Sequence, residues 1–200
     1  EETNKIVELG AWVLMRACRD YQSLLENGVM DEEGVMSVNV SPRQLLAPGF
    51  VELVAHVLEV SELDPACLQL EITENLQCDN ADKNISILHQ LKALGVKIAI
   101  DDFGTGFSSM SYLKDMPIDT IKIDRTFMAD YLDDPSGQLI VHAMVDLGKK
   151  LDKKVIIEGV ETRLLAEELS RVGCDYLQGY YLSYPLSLER LITDFSFQRS

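Results

Sequence analysis

The chain is poor in the residues on which several kinds of site depend. Its 200 residues include four cysteines, three histidines and 18 basic side chains against 33 acidic ones, a formal charge of −15. Cys18, Cys67, Cys78 and Cys174 form no C-x-x-C pair and have no histidine at zinc spacing, which argues against a thiolate zinc site and against a disulfide framework. Reduced thiols in a cytoplasmic compartment are the simplest expectation. His56, His89 and His142 each fall mid-way along a helical pattern, so no histidine-based centre is expected. No apolar run approaches the roughly 18 residues of a membrane span, so no direct membrane insertion by this segment is expected. The start, Glu1-Glu2-Thr3-Asn4-Lys5, shows no basic-then-apolar leader. The shortage of positive charge argues against a general surface for polymeric nucleic acid or anionic membrane. A phosphate ligand remains compatible with it if a divalent cation lies between.

What is present is a globular composition, 46 % apolar and 26 % charged, at a length that fits one domain over residues 1–200. The first helix is expected from Thr3 or Asn4 as cap, through Ile6, Leu9, Val13, Leu14, Ala17, Tyr21 and Leu25, to a stop at Gly28. Strands follow at Val35–Val40 (closed by Ser41-Pro42), Cys67–Thr73, Val96–Asp101, Thr120–Asp124, Lys154–Glu158 and Asp175–Gly179. Helices are expected at about 48–60, 80–94, from Ser109, 136–151, 162–172 and 187–193. Strict alternation of strands and helices implies a parallel sheet, because parallel neighbours need crossover connections. An open doubly wound sheet would usually carry a Gly-rich phosphate loop after its first strand, and none follows Val40. The remaining architecture is a (β/α)₈ barrel, and the six strands fall short of it by one or two βα units. A barrel without its N-terminal part is therefore the expected fold.

The polar side chains fall in a pattern. Asn39, Glu71, Asp101 with Asp102, Lys122 with Asp124, Glu158 and Gln178 each lie near the C-terminal end of a different expected strand. Parallel barrels place their sites at those ends. Glu71, Asp101, Asp102 and Glu158 cannot share one cleft fully ionised, and Lys122 alone does not balance them. An oxygen-only set of carboxylates and an amide carbonyl suits Mg²⁺ or Mn²⁺. Adjacent Asp101 and Asp102 would let one carboxylate bridge two such metals, the arrangement for in-line displacement at phosphorus. Lys122, between Ile121 and Ile123, points the opposite way to them, into an interior where a lone ammonium is costly.

These strings together resemble the EAL family of bacterial cyclic-di-GMP phosphodiesterases. The matching pieces are Ser37–Ser41, Leu70–Glu74, Ile100–Ser109, Ile121–Asp124, Glu158–Thr162 and Leu177–Tyr180, in the family's order over essentially the whole chain. The resemblance implies an EAL-type TIM-like barrel that hydrolyses cyclic-di-GMP to linear pGpG with two Mg²⁺ or Mn²⁺ ions and is inhibited by Ca²⁺. It implies that Asn39, Glu71 and Asp101 bind one metal and that Asp101, Asp102 and Glu158 address the second. Lys122 would hold the attacking water or the scissile phosphate, Gln178 and Pro185 would lie by the substrate, and Glu74 and Glu161 would steady the loop after Asp102. It also implies a homodimer, and sensory or GGDEF domains elsewhere in a longer protein.

The chain departs from the family pattern in places. The E-x-L signature with its following arginine is absent, so the chain is expected to begin inside the domain. Ile157, Phe107 and Tyr184 stand where alanine, tyrosine and a basic residue are usual; the last would weaken a substrate contact. Two other readings compete with the enzyme. One is a receptor or interaction module that binds the nucleotide without cleaving it, and the other is an unrelated Mg²⁺ barrel enzyme acting on a carbonyl substrate, which would not carry the Asp101–Ser109 string.

Overall fold

The computed structural model describes residues 5–31, 33–74, 81–106 and 110–195. The expected caps Thr3 and Asn4, Cys78, and the Phe107–Ser109 end of the loop string lie outside the described residues. The elements run α1 (Lys5–Glu26), β1 (Met36–Val40), α2 (Pro42–Leu45), α3 (Phe50–Ser61), β2 (Leu68–Thr73), α4 (Ala81–Ala93) and β3 (Lys97–Phe103). They continue with α5 (Met110–Asp115), β4 (Thr120–Ile123), α6 (Pro135–Lys150), β5 (Lys154–Ile157), α7 (Arg163–Val172), β6 (Tyr176–Leu177) and α8 (Leu188–Phe195). The strands belong to one six-stranded sheet in chain order, and each pairing with a described register is parallel. These are six of the strand–helix units of a TIM-like barrel, with part of the barrel lacking.

The chain divides into two compact units, residues 1–72, 79–98 and 185–200 in the first and residues 73–78 and 99–184 in the second. In the first, α1 lays Leu14, Cys18, Tyr21 and Leu24 inward at helical spacing. It packs against α3, β1, α2 and α8. Ser41 does more than close a strand. Its hydroxyl caps α2 by accepting from the Gln44 N–H, while the Gln44 side chain returns to the Ser41 N–H, with Pro42 at the first helical position. The Ser-Pro-x-Gln run thus spells a helix start where the sequence reading placed only the close of a strand.

In the second unit, β4 and β5 are flanked by α6, and one apolar cluster joins Ile123, Val155 and Ile157 of the strands to Val141 and Val145 of α6 and Leu165 and Leu169 of α7. Gly148 lets α6 lie close on the sheet, since a Cβ there would collide with the Val155 side chain. β4 is buried along its whole length, as expected of a parallel strand covered on both faces.

Candidate active site

The second unit centres its polar groups on Lys122. Alternation along β4 sends Ile121 and Ile123 into the apolar packing and Lys122 to the opposite face. The residue is only 3 % exposed. An ammonium so enclosed requires counter-charges, and two are present. Its Nζ lies 2.9 Å from Asp101 Oδ1 and 2.7 Å from Glu158 Oε1.

The backbone brings these groups together. Glu158 directly follows β5, and its N–H donates to the Ile123 carbonyl at 3.1 Å, one step beyond the last β4–β5 pair. On the other flank the β3–β4 register is regular at Ile100↔Ile121 and resumes at Phe103↔Ile123, so β3 carries one extra residue against β4. That bulge falls on Asp101 and Asp102, and Asp102 takes the left-handed conformation at φ 55°. Bulges re-aim side chains at strand rims, and left-handed backbone is uncommon outside glycine. Here the irregularity breaks the alternation that would otherwise send two adjacent aspartates to opposite faces.

The electrostatics are lopsided. Partial burial, followed by the charges of Asp101 and Asp124 and a hydrogen bond with Asp124, raises the Asp102 carboxyl above the usual range, against the opposing pull of Lys122. Burial alone would raise Asp124 too, but hydrogen bonds from Thr126 and Arg125 hold it low. Its Oδ1 accepts from the Thr126 N–H at 2.9 Å, capping the short 3₁₀ turn Arg125–Met128. Asp124 is thus a fourth carboxylate beside Asp101, Asp102 and Glu158. Sequence reasoning gave it no role, although its place two residues after Lys122 on an alternating strand was a usable signal.

The loop after Asp102 is held at three points. Glu74, itself buried, accepts from the Gly104 N–H at 2.9 Å, and the Asp102 carbonyl accepts from both the Thr105 N–H and its hydroxyl. Glu161 lies elsewhere, exposed on the rim of a cavity of 520 Å³ lined also by Arg125, Gly159 and Thr162. The Gln178 side chain is exposed, and its backbone pairs with Ile157 and Val160. In the first unit, Asn39 and Glu71 are Cα partners in the β1–β2 register, Glu71 buried and Asn39 exposed. Pro185, also of that unit, is exposed.

The chemistry of this set fits a hard divalent cation. The donors are oxygen only: Asp101 and Glu158 pair with the one ammonium, and Asp102 and Asp124 add two further carboxylates beside Asp101. Burial, and after it the neighbouring charges of Asp101 and Asp124, raise the Asp102 carboxyl. Among the described residues no three acidic, histidine or cysteine side chains converge on one point; Lys122 lies between Asp101 and Glu158.

Parallel strands with helical crossovers, and acidic and lysine side chains at the strand ends, are the arrangement of a TIM-like barrel. The EAL domain family model matches residues 1–185, and the chain belongs to that family. The bifunctional diguanylate cyclase/cyclic di-GMP phosphodiesterase MucR of Pseudomonas aeruginosa is 43 % identical over 192 residues, which are 96 % of this chain and 28 % of MucR. The cyclic di-GMP phosphodiesterase NbdA of the same organism is 40 % identical over 191 residues, 96 % of this chain and 24 % of NbdA. A solved complex of the PaMucR phosphodiesterase with c-di-GMP superposes with a TM-score of 0.90 over 95 % of this chain and 76 % of that one, at 43 % identity. The EAL domain of Mycobacterium smegmatis DcpA superposes with a TM-score of 0.90 over 98 % and 87 %, at 39 % identity. The chain spans between 23 % and 29 % of the length of the first curated relatives it matches. No helix among the described residues is long and apolar enough to cross a membrane.

Proposed function

We propose that this chain is a cyclic-di-GMP phosphodiesterase that opens the cyclic dinucleotide to linear pGpG. The observation that carries the reading is the Lys122 ammonium held between Asp101 and Glu158 in a chain of the EAL family. Asn39, Glu71, Asp101, Asp102 and Glu158 would hold Mg²⁺ or Mn²⁺. When bound, such ions neutralise the phosphodiester and make water more acidic near neutral pH.

The chain's own residues would then act as follows. Lys122, fixed by two carboxylates, donates to the phosphate oxygens as charge grows there in an in-line displacement. Asp102 takes the proton from the attacking water. The water oxygen bonds to phosphorus, the bond from phosphorus to the 3′ ribose oxygen breaks, and that oxygen takes up a proton from solvent while Asp102 returns to solvent the one it removed. Glu74 keeps the loop after Asp102 in place through the Gly104 N–H. Gln178 and Pro185 line the substrate, and Glu161 supports the loops around the site. A homodimer within a longer cytoplasmic signalling protein, carrying sensory or GGDEF modules, completes the proposal.

The test is incubation of the purified protein with cyclic-di-GMP and Mg²⁺, with an EDTA control, following linear product by chromatography. Metal-dependent pGpG is the expected result. Tight nucleotide binding without cleavage at any Mg²⁺ or Mn²⁺ concentration would replace the enzyme with a receptor.

A further inference from the structure

The helix side of the second unit carries a groove that shares no residue with the catalytic cluster. It lies between α6 and α7, the loop Tyr131–Asp133 completes its lining, and its volume is 630 Å³. Volumes of this size hold small organic ligands. Tyr131 supplies it with a buried hydroxyl. The residue is 4 % exposed, and its ring belongs to the apolar cluster that also holds Ile123 and Ile157, the neighbours of Lys122 and Glu158. Among the described residues the hydroxyl meets only His142 Nε2, at 3.5 Å, the far limit of hydrogen-bond range. Buried phenols usually find a closer partner. Burial, then the charges of Glu168 and Cys174, hold this phenol above its ordinary range, so the hydroxyl stays protonated. Whichever ring nitrogen of His142 carries a proton, the Tyr131 oxygen keeps a lone pair with which to accept.

Other acceptors join it. The Gln138 amide nitrogen donates to the Tyr131 carbonyl at 2.7 Å and reaches that of Leu132 at 3.5 Å. Only the nitrogen can donate to a carbonyl, so the amide's orientation is fixed and its Oε1 is left as an acceptor. Asp133 has no ion-pair partner among the described residues. Arg171 is spent on Glu168, and Arg163, at the head of α7, on Glu167. The free groups of the groove are therefore mostly acceptors, and their charge is negative. Leu132 and Leu164, 40 % and 55 % exposed, add an apolar flank with Val172. A hydrated metal ion gains nothing from such a flank, whereas a carbon chain does.

We propose that the α6–α7 groove is a binding site for an aliphatic ammonium ion, with the cation on Asp133, Gln138 Oε1 and the Tyr131 hydroxyl and the carbon chain along Leu132, Leu164 and Val172; the site stands apart from the cyclic-di-GMP reading above. An ammonium is all donor and no acceptor, which matches the three acceptors, and its charge is opposite to that of Asp133. A free alkylamine and the side chain of a partner's lysine share this chemistry.

Titration of the 200-residue chain with 1-aminobutane, Nα-acetyllysine amide and 1-butanol, followed by NMR through the backbone amide shifts, tests the site. 1-Aminobutane should saturate with a dissociation constant on the order of 1 mM and move the amides of residues 131–142 and 164–172. 1-Butanol carries the same chain without the charge and should bind at least about tenfold more weakly. Asp133→Asn should weaken 1-aminobutane about tenfold and Tyr131→Phe about threefold, the sizes of a charge-assisted and a neutral hydrogen bond. Both amines binding supports the site, and the tighter of the two names the source, a partner's lysine or a free amine. Shifts scattered over the acidic surface without saturation, or equal affinity in wild type and both variants, would overturn it. Equal binding of 1-butanol would overturn it too, by reducing the groove to an apolar slot. Cleavage of cyclic-di-GMP decides the functional reading separately, since neither variant alters a residue of the catalytic cluster.

Discussion

Lys122 and Lys154 stand on neighbouring strands of the same unit, each paired with carboxylate, and their surroundings are opposite. Lys154 opens β5, its side chain 62 % exposed, with Nζ 2.8 Å from Asp175 Oδ1. Lys122 is the third of the four residues of β4, its side chain 4 % exposed, and holds two carboxylates that are themselves largely enclosed. Water can replace every contact of Lys154, so its pair adds little to stability. Water cannot replace those of Lys122, and an enclosed ion group is a poor way to stabilise a fold because desolvation offsets most of the attraction. The difference follows the direction of the strands. In parallel α/β folds the N-terminal ends serve stability and the C-terminal ends carry chemistry.

The comparison breaks most sharply at Lys122. Lys122→Met keeps much of the volume and removes the charge, leaving Asp101 and Glu158 to repel one another. Turnover of cyclic-di-GMP is expected to fall by a factor on the order of 10²–10³, the size seen when one charge-stabilising donor is lost. Affinity measured by titration should change far less. Equal losses in turnover and affinity would place Lys122 with Lys154, as a residue of structure.

Much of this contrast is legible in the sequence. Period-two and helical spacing located all six strands and the long helices to within a few residues, because β2 and β4 are short apolar runs and α1, α3 and α6 are amphipathic. The alternation Ile121-Lys122-Ile123 already turned Lys122 away from its apolar neighbours, and the polar residue at each strand end marked one side of the sheet. Local backbone irregularity was not legible. A bulge at Asp101–Asp102 depends on how β3 meets β4, a pairing that no window of β3 alone contains. The second function of Asp124, as cap of the Arg125–Met128 turn, was hidden for the same reason that many Asp caps are: the strand ends and the turn begins at one residue. The Ser41–Gln44 capping box was readable and was missed because Ser-Pro also signals a turn.

A smaller break is available at Asp175. Its Oδ2 accepts from the Val155 N–H at 2.8 Å while Oδ1 takes Lys154, so one carboxylate fastens the start of β5 to the segment that leads into β6. Burial would raise this carboxyl, but Lys154 and the Val155 N–H outweigh it and hold it below the usual range. A depressed folded pKa means that the contribution is present above the unfolded value and is lost as pH falls through the folded one. Asp175→Ala should therefore cost about 1 kcal/mol at pH 7, or a Tm drop of roughly 2–4 °C. The gap between the two melting curves should close below about pH 4. Turnover at 25 °C should be unchanged, and a loss of activity would show that the two ends of β5 are coupled.

The smallest effect belongs to Lys154 itself. The hydrogen bond with Asp175, and then its charge, raise the lysine above its ordinary value, so whatever it contributes is complete at neutral pH and disappears only as pH rises through that folded value. Its exposure and the screening of surface pairs by salt leave little to lose. Lys154→Met should shift Tm by less than about 1 °C at 0.15 M salt, with no shift at 1 M, and should leave turnover at the wild-type rate. Val155 N–H still has Asp175 in that variant, which is why removing the lysine should cost less than removing the aspartate. Parallel melts of the two variants decide it. An equal drop for both would mean that the ammonium, and not the backbone N–H, holds Asp175 in place, and the exposed pair would then resemble the enclosed one more than its position suggests.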